Sequence, residues 1–191
     1  MVPEVEQEGF AHHWQVTVLK RRPLILPRRR YVYPRDAEEV ERGALELSIQ
    51  PGGNLAKQEP FLATCALGFA DPRAPTGVWT CPHPDQLCAV AGGYAYLIDT
   101  LRPERFEQVP YRPVFSVHPV YTDPGLLLFA GNRAILAYGR RGRLWESPPL
   151  SSEGIEVTST ADGLLQGLGW DLMSDREVPF SLDLRTGMPA G

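Results

Sequence analysis

The chain is poor in lysine, with two residues against 17 arginines, and has only three cysteines and four histidines among 191 residues. No run approaches the roughly 18 consecutive apolar residues that a helix needs to cross a bilayer, which argues against a helical membrane protein. Met1–Phe10 is polar and acidic and lacks the charged-then-apolar order of a secretory leader. Three cysteines, an odd number, do not make a secreted disulfide framework. These absences lead to the expectation of a soluble cytoplasmic protein with no membrane partner. An excess of basic charge is missing as well. The net charge of -4 argues against a general nucleic-acid binder, since such proteins are usually basic overall. Catalytic signatures are equally absent: there is no Gly-x-Ser-x-Gly elbow, no phosphate-binding Gly-rich loop and no His-Glu-x-x-His.

What the chain has in plenty is punctuation, with 19 prolines and 18 glycines. Proline fixes φ and removes a backbone donor, so this composition demands many turns and short elements and disfavours long helices. From Gly77 the organisation is clearest. Val78–Cys81, Leu87–Ala91 and Tyr94–Thr100 are β-type runs, and Gly92-Gly93 between the last two is a hairpin signal because both residues tolerate positive φ. Phe106–Val109 follows as a fourth. The pattern recurs with Val114–Val117, Leu126–Ala130, Arg133–Tyr138 and Arg143–Glu146, with Gly131-Asn132 as the turn. An offset of 39 carries Ala91 onto Ala130, Leu97 onto Leu136 and Phe106 onto Trp145. A looser third unit comprises Ile155–Thr158, Leu164–Trp170 and Pro179–Leu184. The first 76 residues are irregular. Trp14–Val18, Tyr31–Tyr33, Ala44–Ile49 and Phe61–Phe69 read as strands, and Ala37–Arg42 as one short helix between an Asp36 cap and a Gly43 stop.

A period near 40 residues with about four short strands per unit is the signature of propeller blades. Ser181–Gly187, with its Asp183 and Thr186-Gly187, resembles the strand-then-turn ending of blades in quinoprotein-like propellers. That resemblance, over residues 77–187, implies that Asp183 and Thr186-Gly187 close the turn through side-chain-to-backbone hydrogen bonds. The expected fold is all-β: antiparallel four-stranded meanders, as an open or incomplete propeller or a β-sandwich. The chain is expected to form a single domain, 1–191, with an irregular part at 1–76 and blade-like units at 77–113, 114–150 and 151–191. Exposed sheet edges invite pairing, so a homodimer is a further expectation.

Four groups of residues could carry chemistry. Cys81-x-His83-x4-Cys88, with Cys65, offers zinc-type ligands, but the spacing departs from paired structural sites, and buried thiols are the simpler reading. No metal or cofactor is expected. Asp171, Asp175, Glu177 and Asp183 form an acidic set suited to a divalent cation or to acid–base work. Lys20-Arg21-Arg22, Arg28-Arg29-Arg30 and Arg35, with Tyr31 and Tyr33, suit phosphates and stacked bases. Trp79, Trp145 and Trp170 recur near strand ends, either packed between sheets or lining a rim as anchors for a partner. The expected function is non-catalytic binding or scaffolding of a protein or small molecule through loops and aromatics at one end of the sheets. A small hydrolase or metal-dependent enzyme using Asp171, Asp175 and His118 is the alternative. Nucleic-acid binding through the arginine arm ranks third.

Overall fold

The computed structural model describes residues 3–6, 8–35, 37, 42–52, 58–68 and 71–190. Among these the protein is all-β, with short strands of three to eight residues arranged as four open sheets, none closed into a barrel. The helix expected over Ala37–Arg42 falls largely on residues outside this set. No helix of the described residues is long and apolar enough to cross a membrane. The chain divides into two compact units, Met1–Pro113 and Val114–Gly191.

In the first unit, β2 (Gln15–Leu19), β3 (Arg30–Tyr33), β4 (Ala44–Gln50) and β5 (Phe61–Ala66) form one sheet in the order β2-β4-β5-β3. β3 runs parallel to β5 and the other pairs are antiparallel. A second sheet has the order β1-β6-β7-β8-β9. It is built from β1 (Glu4–Glu6), β6 (Gly77–Thr80), β7 (Gln86–Ala91), β8 (Tyr94–Asp99) and β9 (Phe106–Gln108). Strand alternation decides the core. Leu45, Leu47 and Ile49 of the first sheet meet Leu87, Tyr96 and Ile98 of the second in one buried cluster. The Tyr96 hydroxyl in that core donates to the Ala66 carbonyl at 3.0 Å, so a buried polar group is satisfied. Gly92 and Gly93 both take positive φ, 54° and 80°, as a tight turn matched to strand twist requires. β1, which pairs in parallel with β6, lies in a segment that carries no β pattern in sequence.

In the second unit, β10 (Ser116–Val120), β11 (Leu126–Ala130), β12 (Ile135–Gly139) and β13 (Gly142–Glu146) form a meander. β14 (Ile155–Ala161), β15 (Leu164–Asp171) and β16 (Arg176–Asp183) form a three-stranded sheet. Leu126, Leu128 and Ala137 of the meander pack with Leu165, Leu182 and Leu184. The two prolines found inside strands, Pro119 and Pro179, both lie on edge strands, where a missing N–H breaks no ladder. For that reason β10 runs through Pro119, whereas the sequence suggested a stop before it.

One turn differs from expectation. Ala91 pairs with Tyr94 across the Gly-Gly turn, but Ala130 pairs with Ile135, so Gly131–Ala134 is a four-residue loop. The Asn132 and Arg133 carbonyls of that loop accept hydrogen bonds from Gly154 and Leu150, the lead-in to β14. Between β8 and β12 the offset is therefore 41, an even shift that keeps each side chain on its face, and Leu97 matches Tyr138 rather than Leu136. Between β9 and β13, Gln108 rather than Phe106 matches Trp145, and a bulge between Ala137 and Tyr138 shifts the register.

Candidate binding surface

Arg28, Arg29 and Arg30 belong to a segment whose path follows from strand order. β2 and β3 occupy opposite edges of their sheet, so residues 20–29 must traverse β4 and β5. The inner face is filled by the core, which leaves the outer face, where Glu46, Leu62 and Thr64 point. Three strand spacings amount to about 14 Å, whereas ten extended residues reach about 33 Å. The surplus chain leaves the sheet.

Two clamps hold the segment. On one side the Arg22 Nε lies 3.9 Å from Glu46 Oε1, while Thr64 donates to Glu46 Oε2 at 2.7 Å. On the other, the Leu62 N–H donates to the Arg29 carbonyl at 3.0 Å, and the Arg29 guanidinium donates to the Glu59 carbonyl at 2.6 Å. Arg29 also stands 5.7 Å from the Phe61 ring centroid, in cation–π range. Between the clamps, Leu24 and Ile25 are 103% and 90% exposed. Seven cationic residues and no acid occupy positions 20–35 of a chain that is acidic overall. Among the described residues, Lys20, Arg21, Arg28 and Arg30 have no acidic partner.

A cleft of about 620 Å³ lies along the free edge of β3, lined by Arg30, Tyr31, Tyr33, Arg35 and Glu104 among others. Tyr33 is its fixed wall. The ring is buried, its hydroxyl donates to the Pro103 carbonyl at 2.7 Å, and desolvation drives the phenol far above its ordinary range. Arg35 donates to the Glu104 carbonyl. Tyr31 meets Phe61 edge-on at 5.5 Å.

The remaining candidates fall elsewhere. Trp79 and Trp145 are 3% and 8% exposed, and the Trp145 indole N–H donates to the Leu184 carbonyl at 2.9 Å. Interior packing occupies both, so neither lines a rim. Trp170 is half-buried, its backbone N–H held by the Ser151 hydroxyl at 2.8 Å. Asp171 closes the β15–β16 turn, accepting from the Met173 N–H at 3.1 Å and the Ser174 hydroxyl at 2.6 Å. Those bonds, that from Ser174 foremost, hold its carboxyl below the usual range. Asp175 takes a left-handed φ of 52° in the same turn. Both are turn residues. His118 forms no hydrogen bond with either; its Nε2 lies 2.8 Å from the Ser116 hydroxyl, and burial lowers its pKa.

Cys65, Cys81 and Cys88 are free thiols with no exposed surface. Desolvation pushes all three above the ordinary thiol range. His83 is turned to the Asp85 backbone N–H at 3.2 Å. No group of three or more His, Cys, Asp or Glu suited to a metal ion occurs among the described residues. A contact that the sequence does not signal is His13 Nδ1 to Asp85 Oδ1, 2.9 Å apart and 72 residues distant in the chain. Beside it the His12 ring packs at a tilt of 39° against Trp14, with centroids 4.5 Å apart. No local pattern could have paired His13 with Asp85, because the pairing depends on β1 lying beside β6. No protein-family model, curated protein or solved structure matches the chain.

Proposed function

We propose that this protein is a non-catalytic binding module, and that the basic crossover segment 20–35 with the cleft beside β3 is its binding surface. One observation carries the reading: Lys20, Arg21, Arg28 and Arg30 are exposed and, among the described residues, without acidic partners in a chain of net charge -4. Like charges so near one another in the chain repel, and an anionic partner relieves that repulsion. The partner is therefore anionic. Cytoplasmic residence agrees with three reduced cysteines and is part of the same proposal. Retention on an immobilised polyanion tests the reading. The wild-type chain should elute at clearly higher salt than a variant in which Lys20, Arg21, Arg28 and Arg30 are all changed to glutamine. Equal elution would contradict it.

A second reading, hydrolysis, has one observation in its favour. The Ser116 hydroxyl and His118 Nε2 are 2.8 Å apart, and the lowered pKa keeps the imidazole neutral and able to accept a proton. Neither Asp171 nor Asp175 orients that imidazole. Labelling of Ser116 by a fluorophosphonate probe, lost in Ser116→Ala, would favour this reading over the first.

A further inference from the structure

Resting on the binding reading above, we propose that the crossover segment docks the protein onto an anionic lipid surface, with Leu24 and Ile25 entering the acyl boundary and the flanking cations meeting headgroup phosphates. The expectation of no membrane partner came from the missing spanning run. A loop that enters only the interface needs no such run.

The order of residues is Lys20-Arg21-Arg22, then Pro23-Leu24-Ile25-Leu26-Pro27, then Arg28-Arg29-Arg30. An aliphatic tip between two sets of three cations matches the layering of a bilayer surface, hydrocarbon beneath phosphate. Leu24 and Ile25, at 103% and 90% exposed, touch almost nothing of their own protein. Two of the five tip residues are proline and have no backbone N–H, so fewer donors must leave water when the tip is inserted. The Leu62 N–H bond to the Arg29 carbonyl holds one end of the tip to the sheet and Arg22 stands 3.9 Å from Glu46 at the other, which limits the ordering needed on binding.

The same features disfavour a nucleic acid. Binding of single strands relies on exposed rings that stack on bases. The tip has no ring; Tyr33 is buried, and Tyr31 is engaged edge-on with Phe61.

Co-sedimentation with vesicles tests the proposal, using phosphatidylcholine alone and phosphatidylcholine mixed with phosphatidylserine. Wild-type protein should pellet with the mixed vesicles and much less with the neutral ones, and added salt should release it. Leu24→Ser with Ile25→Ser should weaken partitioning about tenfold or more without lowering the melting temperature, since both side chains are exposed. The native thiols are buried, so Ile25→Cys can be labelled alone with an environment-sensitive fluorophore, whose emission should rise and shift to the blue on mixed vesicles. Absence of vesicle binding with retention on the polyanion intact would overturn the lipid proposal and leave the binding module standing. Tight binding to mixed-sequence oligonucleotides without vesicle binding would identify a nucleic acid and overturn it equally. Loss of both retention and vesicle binding would overturn both readings.

Discussion

Gly187 lies against the indole of Trp145: a β-carbon at Gly187 would stand 2.4 Å from Cε3 of that ring. Gly187 also holds a φ of 69°, and the Trp145 N–H reaches past it to the Leu184 carbonyl. Gly187→Ala therefore meets a steric clash and a left-handed backbone together. Its expected cost is about 2–4 kcal/mol, read as a lowered denaturant midpoint with an unchanged slope. A midpoint equal to wild type would contradict the packing.

Asp183 closes the same corner. Its Oδ1 accepts from the N–H groups of Arg185 and Thr186 and from the Thr186 hydroxyl, at 2.9, 2.9 and 3.0 Å. The hydrogen bond from the Thr186 side chain is the main cause of its depressed pKa. A depressed carboxylate stabilises the fold above its unfolded value of 3.8, and that contribution is lost as pH falls through the lower folded value. The share of the melting temperature that Asp183 supplies should be lost on acidification below 3.8. The fall in melting temperature should be shallower in Asp183→Asn, which has no charge to lose.

His118 has the same sign for a different reason. Burial lowers its folded pKa below the ordinary 6.5, so the native state holds the neutral ring. Stability from this group is complete above 6.5 and is lost as pH falls from there through the folded value. Proton NMR of the imidazole should give a midpoint below that of an unfolded reference. A midpoint at or above the reference would mean that the ring is solvated.

The thiols offer a direct check of the interior. Cys65, Cys81 and Cys88 should resist an aromatic disulfide reagent in the native protein and react at three equivalents in guanidinium. Stoichiometric reaction under native conditions would place at least one of them at the surface.

Much of the architecture was legible because alternation is local. Leu45, Leu47 and Ile49 announce their common face, and Gly92-Gly93 announces its turn, within a few residues each. The turn-closing role of Asp183 was legible through the resemblance of Ser181–Gly187 to the ending of propeller blades. The proposed binding surface was half legible. The arginines were plain, but the exposure of Leu24 and Ile25 was not, since an aliphatic triplet between prolines reads equally well as buried strand. Strand order decided the matter, and strand order is a long-range property. The pairing of His13 with Asp85 was illegible for the same reason, whereas packing between sheets was one of the two readings of Trp79 and Trp145, and both are buried. The four-residue loop at Gly131–Ala134 was missed because its carbonyls serve residues some 20 positions ahead.

The run from β1 to Trp14 follows β6 and β7 in step. Glu6 lies opposite Trp79, the Phe10 N–H donates to the Thr80 hydroxyl 70 residues on, and the Trp14 indole N–H donates to the Gln86 carbonyl 72 residues on. During translation this run is made well before β6 and β7, so it must wait for them through most of the synthesis of its unit. The run is thus among the last parts of its unit to settle. The hydrogen bonds that tie this run to Thr80 and Gln86 each close a loop of 70 residues or more, so each carries a large loop-closure cost.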